Sequence, residues 1–207
     1  MGIDVSAAGW VQRGAELQNR LLHSSHPVLR SCGRRSKPID MFSGIRSYLF
    51  KASDCGLIRE SQSTIRRELK FVEHGGGKFG VTIGDTRNFR RDRSLPHFTR
   101  NRDGSWFDFQ LLLSENAGVT EVVAYDFELR LEDIPQIQFV RLDLNPPDGR
   151  ASGEVLRSHL HLSSDDDGLS VPAPVLSPFE ALDLFLHGLR ISGRVRRLLN
   201  DDLIIDT

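Results

Sequence analysis

The feature that most limits how this chain can fold is a series of short segments in which apolar and polar residues alternate. They cover residues 79–83, 106–114, 121–131, 136–144 and 156–162, and residues typical of turns end most of them. Alternation with a period of two is typical of strands that bury one face. Strands that follow each other through turns usually pair antiparallel. The sequence therefore predicts an antiparallel meander of five or six strands.

Helices are predicted on both sides of this series. Asp40 is a suitable N-cap for a helix over about 41–53. The sequence Ser-Pro-x-Glu that begins at Ser177 is a capping box with proline at the first helical position, and it predicts a helix over 178–189. Residues 61–70 fit either a helix or the start of a strand. Strands in series followed by a helix indicate an α+β domain, which we assign to residues 41–207, with the sheet packed against the helices.

Residues 1–40 are interpreted as a separate helical appendage and basic linker. Apolar residues at helical spacing predict a short helix over about 8–23. Residues 31–38 are basic and rich in turn formers, which is typical of a linker or arm.

Composition and motifs exclude several classes of protein. Cys32 and Cys55 are too few for a disulfide framework, and the apolar runs are too short for a membrane span. No secretory signal is visible, so we expect a cytoplasmic protein without a membrane partner. The motifs of Rossmann enzymes, of common hydrolases and of zinc fingers are missing, and no cofactor is expected.

The polar residues of the alternating segments predict a shared polar face. If the strands are neighbours in order, this face consists of Asp108, Gln110, Asp126, Glu128, Arg130, Arg141, Asp143, His159 and His161. One interpretation is an ordinary solvated face with cross-strand ion pairs. The other interpretation is a functional site.

The functional interpretation centres on the His-x-His sequence. His159 and His161 project to the same side of one strand and can serve as acid and base in metal-free phosphodiester cleavage. Asp143 can orient an imidazole, and Arg141 can hold a phosphate with its planar guanidinium. A mixed histidine and carboxylate metal site is an alternative use of the same residues.

A basic cluster precedes these strands and favours a nucleic-acid partner. Arginines neutralise phosphates, and the aromatic rings of Phe89 and Phe98 between them can stack on bases. Residues 1–110 carry a net charge of +8 and residues 111–207 a net charge of −9, so any phosphate site is expected towards the basic cluster. A solvated loop that offsets the acidic half is the alternative. The predicted nucleic-acid-binding residues are Arg87, Arg90, Arg91, Arg93, Arg100 and Arg102.

One stretch resembles a known group of proteins. The order Arg141-x-Asp143, His159-x-His161, a Pro-x-Pro turn and the Ser177-Pro178 helix start resembles small uncharacterised bacterial proteins, and is distantly similar to the TumE-like toxins of toxin–antitoxin pairs. The resemblance covers about residues 120–187. It implies a cytosolic toxin or defence protein that acts on nucleic acid and is partnered by a helix-turn-helix antitoxin.

These observations lead to two main functional hypotheses, and antitoxin or immunity behaviour, in which the acidic half mimics nucleic acid, is a third. The first is a toxin-like or defence-associated protein that binds RNA or DNA and acts as a metal-independent nuclease. The second is a non-enzymatic subunit of a larger nucleic-acid-associated defence complex. Whether the chain is an enzyme stays open at this point.

Overall fold

The computed structural model describes residues 29–30, 37–131, 137–146, 158–163 and 170–188. The predicted helix over 8–23 lies outside these residues. No helix among the described residues is both long and apolar enough to cross a bilayer.

A single antiparallel sheet dominates the described part of the chain. Seven of its strands form one path in the order β2-β3-β5-β6-β7-β8-β9, while β1 pairs with β6 and β4 pairs with β5. The strands are β1 Leu29–Arg30, β2 Leu69–Gly75, β3 Lys78–Ile83, β4 Phe98–Thr99, β5 Trp106–Asn116, β6 Val119–Arg130, β7 Phe139–Leu144, β8 Ser158–Ser163 and β9 Ser170–Pro172.

The α+β class and the antiparallel meander are confirmed, but the predicted number of strands is wrong. Nine strands are present in the described residues, against the five or six that alternation predicts. Strands β1, β4 and β9 have only two or three residues, which is too short to show a period of two. The ambiguous stretch 61–70 divides between a helix and β2, which begins at Leu69.

Within the described ranges, three α-helices accompany the sheet: α1 Pro38–Asp54, α2 Gln62–Glu68 and α3 Pro178–Asp183. The predicted N-cap of α1 is wrong by three residues. Lys37 is the N-cap, Pro38 takes the first helical position, and the Asp40 carboxylate accepts a 2.8 Å hydrogen bond from the Lys37 backbone N–H. Proline at the first position therefore starts the helix earlier, and Asp40 caps it from inside the first turn.

The capping box at Ser177 is confirmed. Its hydroxyl accepts a hydrogen bond from the Glu180 N–H, and its own N–H donates to the Glu180 carboxylate. The α-helical part ends at Asp183, earlier than predicted, and a π-helical turn continues over Leu184–Gly188. This turn carries Phe185 into the core.

The hydrophobic core lies between one face of the sheet and the helices. Phe127 is at its centre, with ring centroids 5.0 Å from Phe109 on the neighbouring strand and 5.9 Å from Phe185. Ile45 and Leu49 are fully buried on α1 and belong to the same cluster. The helices therefore cover this face of the sheet. The opposite face is the one on which the predicted polar side chains lie.

The central hairpin is formed by β5 and β6 around a two-residue turn. Asn116 pairs with Val119, and the two residues between them, Ala117 and Gly118, both have positive φ angles of 52° and 76°. Positive φ at both central residues is typical of a type I′ turn, whose twist matches that of the strands. This turn sets the pairing of β5 and β6 as far as Leu113 and Val122, and an irregularity between Leu112 and Leu113 shifts the pairing by one residue before the polar face.

Candidate functional site

The predicted polar face exists, and the pairing of β5, β6, β7 and β8 arranges it in two rows. Paired residues on neighbouring antiparallel strands have side chains on the same face. One row is Asp108, Glu128, Arg141 and His161, and the other is Gln110, Asp126, Asp143 and His159.

At one end of these rows the two histidines converge on a single carboxylate. His159 is directly opposite Asp143 across the β7–β8 pair, and His161 lies diagonally from it. The Nε2 atom of His161 is 3.2 Å from Asp143 Oδ2, and the Nε2 atom of His159 is 3.5 Å from the same oxygen. The ring centroids are 4.7 Å apart, which is closer than the roughly 7 Å expected for residues i and i+2 on a strand.

Arg141 completes this cluster. Its Nε donates to both carboxylate oxygens of Asp143, at 2.9 and 3.1 Å, and one terminal nitrogen is 3.9 Å from Glu128. Burial and the Arg141 charge lower the pKa of His161, and Asp143 opposes this shift. All four residues of the predicted catalytic set are therefore within one contact network, which we call the histidine cluster.

His159 has an unusual environment. It is only 7% exposed, and its Nδ1 is buried without a hydrogen-bond partner among the described residues. Buried ring nitrogens normally have a partner, so an unsatisfied one calls for an explanation other than packing.

The remainder of the polar face is a buried ion-pair network around Arg130. This residue is 3% exposed; its side chain pairs with Glu128 at 2.9 Å and Asp108 at 3.1 Å, and it donates to the Asn88 carbonyl. Its guanidinium also stacks over Trp106, 4.3 Å from the ring centroid. The interpretation as a solvated face is therefore wrong for these residues, although its cross-strand ion pairs are present.

A long loop covers this network. Residues 84–97, which we call the covering loop, connect β3 to β4. Arg87 pairs with Asp126 at 2.8 Å and with Glu128 at 3.3 Å, and Arg91 pairs with Glu128 at 2.9 Å. The loop arginines thus neutralise carboxylates of the sheet.

The six arginines predicted to bind nucleic acid occupy different environments. Arg87 and Arg91 take part in the ion pairs above. Arg100 is 1% exposed, pairs with Asp103 and donates to the Phe185 carbonyl, and burial lowers its pKa to about 10. Arg90, Arg93 and Arg102 are exposed, although Arg102 also contacts Asp103. A phosphate-binding surface on this segment would consist of these last three residues.

A cleft of about 330 Å³ opens beside the histidine cluster. Its volume is within the range of small-ligand pockets. The side chain of Phe89, 72% exposed, forms part of its wall. The lining residues include Arg87, Phe89, Asp126, Arg141, Asp143 and Tyr125.

Asp126 is the titratable group of this cleft that sequence reasoning left out of the site. Burial raises its pKa to about 7, and the neighbouring carboxylates of Asp143 and Asp108 act in the same direction against the opposing charge of Arg87. The alternation placed Asp126 on the polar face, but only the strand register brings it beside Asp143.

This raised pKa predicts a pH-dependent contribution to stability. The folded-state pKa of about 7 exceeds the ordinary value of 3.8, so the contribution of Asp126 is complete below about pH 4 and is lost as the pH rises through about 7. Urea unfolding of wild type and Asp126→Asn between pH 4.5 and 8 measures it. We expect a steeper fall of the unfolding free energy in the wild type, whereas equal pH slopes would contradict the assignment.

Comparisons of the chain with protein-family models, with curated proteins and with solved structures gave no match. The resemblance to TumE-like toxins therefore stays a prediction.

Proposed function

We propose that this protein binds nucleic acid and cleaves phosphodiester bonds at the histidine cluster. The observation that carries this proposal is the convergence of two imidazoles, one carboxylate and one guanidinium beside a cleft. The side chains of Arg141 and His161 are 23% and 22% exposed, so both are accessible to a ligand from outside.

The four side chains supply the groups that phosphodiester cleavage needs. The reaction requires neutralisation of the phosphate, activation of the attacking group, which is the 2′-hydroxyl in RNA or a water molecule in DNA, and a proton for the leaving oxygen. Arg141 is suited to the phosphate, and the imidazoles of His159 and His161 are suited to the proton transfers. Asp143 contacts both rings and would orient them.

The covering loop supports a nucleic-acid substrate. Phe89 exposes its ring at the cleft, and the Arg87 guanidinium lies 4.7 Å from the centroid of that ring. Exposed aromatic rings stack on unpaired bases, and Arg90 and Arg93 add positive charge on the same loop. Single-stranded RNA or DNA is therefore the substrate class that we propose.

Cleavage assays with labelled single-stranded RNA and DNA test this proposal. We expect His159→Ala/His161→Ala to reduce the cleavage rate by about 10²-fold or more, because acid–base residues typically contribute that much. His74→Ala, which removes an exposed histidine on β2, is the matched control and should retain full activity. Cleavage that is unchanged in the double variant would overturn the catalytic proposal.

A second function, a non-enzymatic subunit of a defence complex, is favoured by the buried ion-pair network. Arg87, Arg91 and Arg130 are used to neutralise Asp108, Asp126 and Glu128, which is a structural use of the polar face. In that case we expect salt-sensitive nucleic-acid binding without turnover. A toxin-like protein would instead arrest growth when it is expressed without its proposed antitoxin partner.

A further inference from the structure

We infer that Asp143, His159 and His161 bind a first-row divalent cation of the Zn²⁺ kind. The inference concerns the site of the proposed function and deepens it. A cation held there would take over from the imidazoles the activation of the attacking hydroxyl.

Two of the three distances between ligand atoms agree with such a site. One ligand atom from each of the three residues lies within 4.8 Å of the other two. The distances of 3.2 and 3.5 Å from the two Nε2 atoms to Asp143 Oδ2 are close to a tetrahedral ligand–ligand separation. That separation is about 3.4 Å for metal–ligand bonds of about 2.1 Å.

The ligand types select the class of metal. Two imidazoles and one carboxylate suit Zn²⁺, Fe²⁺ or Co²⁺, whereas Mg²⁺ and Ca²⁺ prefer oxygen ligands. Three protein ligands leave at least one position for water or for a substrate oxygen. His161 is partly exposed, so such a position would face the outside of the protein.

The convergence of the two imidazoles is also typical of a metal site, in which ligand nitrogens point to one position. Here both imidazoles direct Nε2 to the same carboxylate oxygen, and their ring centroids are only 4.7 Å apart. Converging nitrogens are the arrangement that a single cation requires.

The surroundings of the three residues are already organised. Asp143 and His159 are buried and are held opposite each other on paired strands. Ligands on strands keep their geometry better than ligands on loops.

The positive charge of Arg141 lies beside the proposed cation site. Its Nε shares the Asp143 carboxylate with both imidazoles, so its positive charge opposes a cation at the same place. Replacing Arg141 by methionine should therefore tighten cation binding, while replacing a ligand should abolish it. A purely structural ion-pair cluster would not respond to the cation in either variant.

The experiment uses the full chain, stripped of metal by a chelator. Calorimetry with Zn²⁺ and absorption spectra with Co²⁺ should show one binding site that is lost, or weakened at least about 10-fold, in His161→Gln and in His159→Ala/His161→Ala. His74→Ala is the control and should bind like wild type. Circular dichroism establishes that each variant is folded, and the partly exposed His161 makes the single variant the safer one. Equal stoichiometry and affinity in wild type and His161→Gln would overturn the inference.

Failure of this inference is distinguishable from failure of the proposed function. Cation binding that depends on the three residues, without any nucleic-acid cleavage, supports the inference and overturns the nuclease. Cleavage that persists in chelator, without cation binding by the wild type, overturns the inference and retains the metal-free nuclease.

Discussion

Replacement of Arg130 by methionine is expected to lower the free energy of unfolding by about 3–5 kcal/mol. This guanidinium pairs with Glu128 and Asp108, and it donates to the Asn88 carbonyl. Its removal leaves two carboxylates buried with fewer positive neighbours, and methionine cannot replace the hydrogen bonds. Loss of a single partner from a buried network is costly because the remaining charges stay desolvated.

Urea denaturation of Arg130→Met measures this loss. Arg90→Met is the matched control, because Arg90 is an exposed arginine on the covering loop, and its free energy of unfolding should change by less than about 0.5 kcal/mol. A loss in Arg130→Met that is no larger than that of the control would show that the network contributes little to stability.

Replacement of Arg100 by methionine is the second large expected effect, with a loss of about 3–5 kcal/mol. Arg100 donates to the Ser105 hydroxyl at 2.6 Å and to the Phe185 carbonyl at 2.7 Å, and it pairs with Asp103. It therefore joins the turn before β5 to the π-helical turn that carries Phe185. Without it, the Asp103 carboxylate loses its buried partner and the Phe185 carbonyl loses its donor.

Measurements of thermal unfolding and of nucleic-acid binding distinguish a structural role of Arg100 from a role in binding nucleic acid. We expect Arg100→Met to unfold at a markedly lower temperature and, while folded, to bind RNA or DNA like wild type. Arg93→Met, at an exposed position, should keep its thermal stability and show weaker, less salt-dependent binding. Unchanged thermal stability with weaker nucleic-acid binding in Arg100→Met would show instead that Arg100 belongs to the nucleic-acid-binding surface.

The fold was largely predictable because its signals are local. Alternation identifies the longer strands, and the sequence Asn116-Ala117-Gly118 marks the central hairpin. The capping box at Ser177 also requires only neighbouring residues. The two-residue and three-residue strands were not predictable, since they depend on where a partner strand offers free backbone groups.

The candidate site was predictable only in part. Alternation placed His159, His161 and Asp143 on one face, because side-chain direction follows from position along a strand. The partners of Arg87 and Arg91 were not predictable, since a loop of fourteen residues (84–97) has no periodicity that says which carboxylates it covers. A basic cluster in a sequence looks the same whether its charges face phosphate or the protein's own aspartates and glutamates.

The two-residue turn at Ala117 and Gly118 limits where chains of this type can vary in length. Shifting one strand by a single residue exchanges its two faces. With the irregularity at Leu112 and Leu113 unchanged, an added or deleted residue at this turn would move Asp126 and Glu128 to the helix side and bring Phe127 to the polar side. Insertions in such chains should therefore accumulate in the connections outside this hairpin, and the turn itself should keep its length for as long as the carboxylate rows are in use.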